Sequence, residues 1–290
     1  DSCDVTWGSP WPEKTLEFCA GTCRHCSPVL AIFLKICSGR SSLMERCVFT
    51  MSSLLQSAKE NLAFLGICLL IFVVLVAIAI AAEHLCGIRK HRVQRARYVS
   101  FVAMFSAIAA ILMFFEIPLF FAPSFYEIDL SEIPLLICSF YLGPLAGVIG
   151  ELVKVIIKLV LKGTTTAFVG DFANFVVGCS LILPASIYYH IRKSKRSAIH
   201  GMILGTAVMT VFGSLFNAVY LLPKFAELYG MPLDAIIGMG TAINPYINNV
   251  STLVLMAVVP FNILKGVIVS LLTMVLYKRV EKLLLRLGGH

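Results

Sequence analysis

The chain of 290 residues is 59% hydrophobic and only 14% charged, with a mean hydropathy of +0.89. Soluble domains keep about a quarter of their residues charged, so these values exclude an ordinary soluble fold. The formal net charge of +8 is concentrated in a few short clusters, which excludes nucleic-acid binding as the reason for the basic composition. The sequence therefore predicts an all-α polytopic membrane protein embedded in the lipid bilayer.

The first fifty residues differ from the rest of the chain. Cys19, Cys23 and Cys26 have the spacing of iron–sulfur ligands, although a structural zinc site or disulfides would use the same side chains. The composition changes near Met51, where the sequence resembles a natural start. We therefore expect residues 1–50 to be a Cys-rich extension that is disordered or not part of the native protein.

Several uncharged stretches after Met51 are long enough to cross a bilayer, which takes about 20 residues at about 1.5 Å each. The clearest are 61–82, 98–115, 172–191 and 198–223. The stretch 235–277 is too long for one span and contains the polar sequence NPYINN. We predict one additional transmembrane helix and a basic cytoplasmic linker within residues 51–97, followed by a six-helix membrane domain over 98–290.

The charges predict the orientation of the spans. Basic clusters at 89–97, 192–196 and 277–286 should face the cytoplasm, which places the C-terminus there. The acidic segment 118–133 should then lie outside. Residues 134–161 must cross an even number of times, so we predict two short helices of about 14 residues each. Their break should fall at Gly143-Pro144, since proline removes a backbone donor and disfavours helix before it.

Ionisable and amide side chains within the spans are candidates for a binding site, because such groups are costly in lipid. Glu151 and Lys154 share one helical face, where they either pair with each other or line a cavity. Asn262 and Lys265 lie one turn apart just after Pro260, with no carboxylate nearby in the sequence. This arrangement favours a polar ligand that carries carbonyl groups.

The segment KGTTTAFVGDFANFVVG, residues 162–178, is unusually polar for its place between two apolar runs. Thr164, Thr165 and Thr166 supply hydroxyl groups, and Asp171 and Asn174 follow on the next predicted helix. Non-helical backbone at membrane depth is tolerated where it is buried in protein or lines a cavity. The segment is either a pocket wall or a polar turn whose Asp171 and Asn174 cap the next helix.

A polar stripe runs along the predicted span 198–223. Thr206, Thr210, Ser214 and Asn217 fall on one helical face. Small and hydroxyl residues there also serve close helix packing. Asn217 is the binding candidate of this stripe, because it lies nearest the outer end.

Four blocks of the chain, in order, carry a family resemblance. They are EIPLFFAPSFYEIDLSEIPLLICSFYLGPLAGVIGELVK, the segment 162–178, GMGTAINP and VPFNILKGVIVSLLT. From about Tyr98 to the C-terminus, the chain resembles the riboflavin-binding S component of energy-coupling factor (ECF) transporters. The resemblance implies a six-helix vitamin-capturing subunit with both ends of the core in the cytoplasm. It also implies that the loop 118–133 folds over the substrate from outside.

The resemblance adds site residues to those predicted from polarity. Phe125 and Tyr126 on the outer loop, together with Tyr141, are candidates to contact the flavin ring. Asp129 belongs to the covering loop, and Asn244 lies in the block GMGTAINP. No metal or cofactor is expected. The predicted substrate-binding set is Lys265, Asn262, Asn217, Asn174, Thr164, Thr165, Thr166, Glu151, Asn244, Tyr141, Phe125 and Asp129.

The same resemblance implies partners in the cell membrane: a coupling transmembrane subunit and two ABC ATPase subunits. Ala103, Ala107 and Ala110 have the small-residue spacing that lets another helix approach, and they are the predicted docking positions for the coupling subunit. The chain has no Walker sequence and is not expected to be an enzyme. The alternatives are an S component for another vitamin, or a stand-alone channel or membrane enzyme.

Overall fold

The computed structural model describes residues 62–87, 95–119, 123, 126–164 and 168–288. The predictions for residues 1–50 and for Phe125, Thr165 and Thr166 lie outside these ranges. The helices are α1 Leu62–Leu85, α2 Arg95–Met113, α3 Glu132–Leu142, α4 Pro144–Lys162, α5 Val169–Arg192, α6 Lys195–Phe216, α7 Leu222–Tyr229, α8 Leu233–Thr241, α9 Val250–Leu253 and α10 Val259–Gly288. Two short strands, β1 Ile117–Pro118 and β2 Glu127–Ile128, pair antiparallel in the connection between α2 and α3.

The membrane fold predicted from the sequence is confirmed. Five described stretches are long and apolar enough to cross a bilayer: Gly66–Leu85, Arg95–Met113, Val169–Arg192, Lys195–Glu227 and Val250–Tyr277. The shorter α3 is also apolar, while α4 is long enough but carries several charges. The long stretch 235–277 is divided, as predicted, into α8, a turn and the helix that ends in α10.

The break between α3 and α4 falls at the predicted position. Gly143 has φ 120°, a backbone conformation that favours glycine, and Pro144 begins α4. The two helices are unequal, with 11 and 19 residues, so the expectation of about 14 residues each was wrong. The reason is local. Pro144 ends α3 after 11 residues, and no glycine or proline terminates α4 before Gly163.

Two π-helical turns interrupt the last long spans. One covers Asn217–Leu221 and the other Val254–Val258. Each is followed two residues later by a proline, Pro223 or Pro260. A proline inside a helix lacks an N–H and clashes with the carbonyl four residues earlier, and a wider turn accommodates both effects. Two predicted site residues are close to these turns in sequence: Asn217 begins the first turn, and Asn262 follows four residues after the second.

Close packing of α5 against α6 forms the centre of the bundle. A Cβ atom at Gly201 would lie 2.6 Å from the carbonyl oxygen of Ala185, and the hydrogen of glycine removes that clash. Small residues allow helices in a membrane to approach closely, which increases their van der Waals contact. The buried cores on either side of this pair contact α3, α4 and α10, and these helices carry the polar residues described next.

Candidate functional site

Charged side chains from three separate parts of the chain meet inside the bundle. The segment between β2 and the start of α3 contributes Asp129 and Glu132, α4 contributes Glu151 and Lys154, and α10 contributes Lys265. All five are buried, and Glu151 and Lys154 are 0% exposed. Buried charges of this kind are stable only when they are paired and hydrogen-bonded. We call these five residues the charged cluster.

Lys265 has two carboxylate partners in the charged cluster. Its Nζ lies 3.1 Å from Asp129 Oδ2 and 2.9 Å from Glu132 Oε1. No carboxylate lies near Lys265 in the sequence, but the fold brings these two carboxylates to it. The two acidic residues come from a segment more than a hundred positions earlier in the chain. This segment, at the end of the connection between α2 and α3, contacts the N-terminal part of α10.

Lys154 joins the two halves of the charged cluster. Its Nζ lies 2.6 Å from Glu151 Oε2, in an ion pair that lacks hydrogen-bond geometry, and 3.9 Å from Glu132 Oε1. It also donates hydrogen bonds of 3.0 Å to Ser131 Oγ and to Asn174 Oδ1. The Glu151–Lys154 pair considered from the sequence is therefore present, and it belongs to a larger network.

Asn174 connects this network to the polar segment 162–178. Its Nδ2 donates to Asp129 Oδ2 at 3.4 Å. Nearby, Asp171 pairs with Lys158 and accepts a 2.8 Å hydrogen bond from Thr164. The N-terminal cap of α5 is Phe168, which makes no side-chain capping bond. Asp171 thus connects the polar turn to Lys158 of α4, and Asn174 connects α5 to Lys154 of α4 and to Asp129.

Asn217, in the first π-helical turn, and Asn262, one helical turn after the second, are the two predicted site amides of the long spans. The hydroxyl of Tyr126 donates a 2.8 Å hydrogen bond to Asn217 Oδ1, and the Tyr126 ring lies 5.3 Å from that of Phe261. Asn262 is 2% exposed, and in the described part of the structure its Nδ2 has no hydrogen-bond partner. A buried amide donor without a partner is costly, so this group is well suited to a ligand.

The electrostatics of Asp129 follow from its neighbours. Burial alone would raise the pKa of this carboxyl, but the ammonium groups of Lys265 and Lys154 and two hydrogen bonds from Ser131 outweigh it. The pKa of Asp129 is therefore held below its usual range, and the carboxyl is ionised at neutral pH. Asp129 lies between β2 and α3, outside every helix.

Five other predicted positions, two for substrate binding and three for docking, lie in different surroundings. Tyr141 is near the far end of α3, about 13 Å along the helix axis from Glu132, and its ring packs against Phe101. Asn244 lies in the turn after α8, where its side chain bonds Tyr246 and Met256. On α2, Ala103 and Ala107 are exposed, whereas Ala110 is only 1% exposed.

The site prediction omitted Ser131, Glu132 and Lys154. Within the acidic segment 118–133, the sequence analysis selected Asp129 of the covering loop but not its neighbours Ser131 and Glu132. The charges around Lys265 in the sequence would have indicated more: the first carboxylate on its own helix is Glu281, 16 residues later. A buried ammonium group requires a partner, so Lys265 needed a carboxylate from another segment. In the described residues, no group of His, Cys, Asp and Glu is arranged to hold a metal ion.

Comparison with known proteins identifies the class to which this architecture belongs. A family model described as ECF transporter, substrate-specific component, matches residues 97–277, and the chain belongs to that family. It is therefore a multi-pass membrane component of a transporter.

Individual relatives cover the same region. The riboflavin transporter RibU of Staphylococcus aureus (strain TCH60) is 35% identical over 201 residues, which are 69% of this chain and 99% of the relative. The riboflavin transporter FmnP of Bacillus subtilis (strain 168) is 29% identical, over 62% of this chain and 90% of its own. A solved structure of the S component of a bacterial ECF transporter has a TM-score of 0.52 and 34% identity, covering 66% of this chain and 99% of that one.

Proposed function

We propose that this protein is the riboflavin-binding S component of an ECF-type vitamin importer. The observation that carries the proposal is that Asn217 and Lys265 both bond the segment that contains Tyr126 and Asp129. The buried donor of Asn262, three residues before Lys265, is without a partner in the described residues. The similarity to proteins named as riboflavin transporters in two genera supports the same substrate. The protein would capture the vitamin from outside and release it only when coupled to its partners.

The chemistry of the site suits a flavin. An isoalloxazine ring has an apolar edge, a flat face and an imide edge with carbonyl acceptors, and pockets for such ligands combine apolar walls with a few placed polar groups. Asn262 Nδ2 and Lys265 Nζ offer donors for the carbonyl groups. Asn174, Thr164, Glu151 and Asp129 offer acceptors and donors for the ribityl hydroxyls. Phe125, Thr165, Thr166, Tyr141 and Asn244 remain further candidates from the sequence.

Transport would require a coupling transmembrane subunit and two ABC ATPase subunits. Ala103 and Ala107 support this part of the proposal, because both small residues are exposed one helical turn apart on α2. A partner helix approaches closely over such small residues. The basic residues near the end of α10 support a cytoplasmic C-terminus by the positive-inside rule. The acidic connection between α2 and α3 would then lie outside the cell membrane.

Purification in detergent provides the test. The protein should co-purify with a yellow flavin chromophore, and protein freed of flavin should quench riboflavin fluorescence on titration at a one-to-one ratio. Thiamine, biotin and folate should not compete. A protein that binds one of these vitamins and not riboflavin would overturn the flavin assignment. A protein that binds none of the four would contradict a vitamin-capturing role.

A further inference from the structure

Helix α1 lies outside the region that the family model matches, which begins at residue 97. It is nevertheless packed against α4 and α5 of the matched region. Along its length, the less exposed side chains recur every three or four residues and form one stripe. The members of this stripe, which we call the inner stripe, are Cys68, Phe72, Leu75, Val76, Ala79, Ala82 and Glu83.

The inner stripe changes character along the helix. Phe72 packs against Phe175 of α5, with ring centroids 6.0 Å apart. Farther along, Ala79 and Ala82 are buried, and such small residues let α1 approach its neighbours closely. The opposite side of the helix, which includes Leu70 and Val73, is exposed. Only one face of a uniformly apolar helix therefore contacts the protein.

Glu83 makes a specific contact at the end of the inner stripe. It is 7% exposed, and its Oε1 accepts a 3.1 Å hydrogen bond from the backbone N–H of Leu145. Leu145 is the second residue of α4. The cap position before α4 is Gly143, which has no side chain to accept from this donor, and Pro144 has no N–H. The carboxylate of Glu83 therefore occupies the place of an N-cap side chain.

The contact is favourable for two physical reasons. The first N–H groups of a helix have no partner within the helix, and in lipid an unsatisfied backbone donor is especially costly. A negative charge at a helix N-terminus is also stabilised by the helix dipole. A carboxylate in a helix that faced only lipid would have neither benefit. Its position beside the start of α4 thus indicates a stable protein contact.

We propose that α1 is a permanently docked seventh helix, which binds the face formed by α4 and α5 of its own chain and is anchored there by Glu83. Ala103 and Ala107 on α2 remain exposed with α1 in place. The docked helix therefore leaves the proposed surface for the coupling subunit open. Because α4 also carries Glu151 and Lys154, Glu83 is a positioning residue for the helix that supplies part of the charged cluster.

Two measurements on the full chain test the docking. The first incorporates the photo-crosslinking amino acid p-benzoylphenylalanine at Phe72 or, as a matched control, at the neighbouring Val73, which is 54% exposed. A protease site inserted between residues 88 and 94 then separates α1 from the rest. After irradiation and cleavage, the protein with the probe at position 72 should stay in one piece, while the control should separate. Equal cross-link yields at positions 72 and 73 would overturn the proposal. So would cross-links that join two separate chains instead of two parts of the same chain.

The second measurement concerns the anchor. Glu83→Leu should lower the melting temperature by about 2–4 °C, the shift expected for the loss of one helix cap, and should reduce the cross-link yield at position 72. Glu83→Gln keeps a carbonyl acceptor for Leu145 and should recover most of the yield. His84→Leu alters an exposed neighbour and should change neither. If Glu83→Leu does not fold, a Glu83→Gln protein that has lost the cross-link would still refute the capping role, as would an unchanged melting temperature and yield in Glu83→Leu.

Discussion

Replacing Lys265 by methionine tests the charged cluster most directly. The change keeps the apolar stem of the side chain and removes an ammonium that lies within 3.1 Å of Asp129 and 2.9 Å of Glu132. Breaking a buried ion pair by removing one partner costs about 3–5 kcal/mol. Lys154 stays near Glu132, and Ser131 and Asn174 stay bonded to Asp129. We therefore expect Lys265→Met to lower the unfolding free energy by about 3 kcal/mol, the low end of this range.

This loss of stability should be measurable in the ligand-free protein. For a chain of this size, about 3 kcal/mol corresponds to a decrease in melting temperature of roughly 6–12 °C. Lys224→Met is the matched control, because it removes the same charge from an exposed pair with Glu227, and exposed pairs contribute little. Lys265→Met combined with Asp129→Asn should recover part of the stability, since one stranded carboxylate is then neutral.

Riboflavin affinity provides the second half of this test. If Lys265 also donates to the flavin, its loss should weaken binding by about 1.5–3 kcal/mol, or roughly ten- to a hundred-fold. The double variant should not recover this affinity. A ligand-free Lys265→Met protein that melts like the wild type would refute the ion pairs. A destabilised variant with unchanged riboflavin affinity would remove Lys265 from the binding site.

Three further outcomes follow from the structure. Tyr126→Phe removes the hydrogen bond to Asn217 and leaves a buried amide oxygen with one partner fewer. Thermal melting should therefore show that the unfolding free energy falls by about 1–3 kcal/mol, and an unchanged value would argue against the contact. Ala103→Leu with Ala107→Leu should abolish vitamin uptake by cells but preserve riboflavin binding, with Met104→Leu as the exposed control; equal loss of uptake and binding would contradict the docking role. Because the pKa of Asp129 is lowered in the folded protein, its contribution to stability is complete above the ordinary value of about 3.9 and is lost only as the pH falls below it. Asp129→Asn should accordingly lower the unfolding free energy by the same amount at pH 6 and at pH 8. If the stability difference between the wild type and the variant disappeared as the pH fell to 6, the lowered pKa would be refuted.

Much of the fold could be predicted from local sequence because the bilayer restricts the possibilities. A spanning segment must satisfy its own backbone hydrogen bonds and must be apolar over a fixed length, so each span is a continuous pattern that needs no knowledge of its neighbours. The break at Gly143-Pro144 is equally local, since it follows from the geometry of proline. Asn217, Asn262 and Lys265 could also be selected as candidates from the sequence, because polar groups in such segments are rare and costly.

The partners of those residues depend on tertiary structure. Lys265 pairs with Asp129 across 136 positions of the chain, and Tyr126 reaches Asn217 across 91. Neither pairing produces a periodic pattern, because it depends on how the connection between α2 and α3 folds back over the bundle. The inner stripe of α1 could not be predicted from the sequence pattern either. Its apolar side chains are chemically equivalent on every side, so only the packing against α4 and α5 decides which face is buried and gives Glu83 its role.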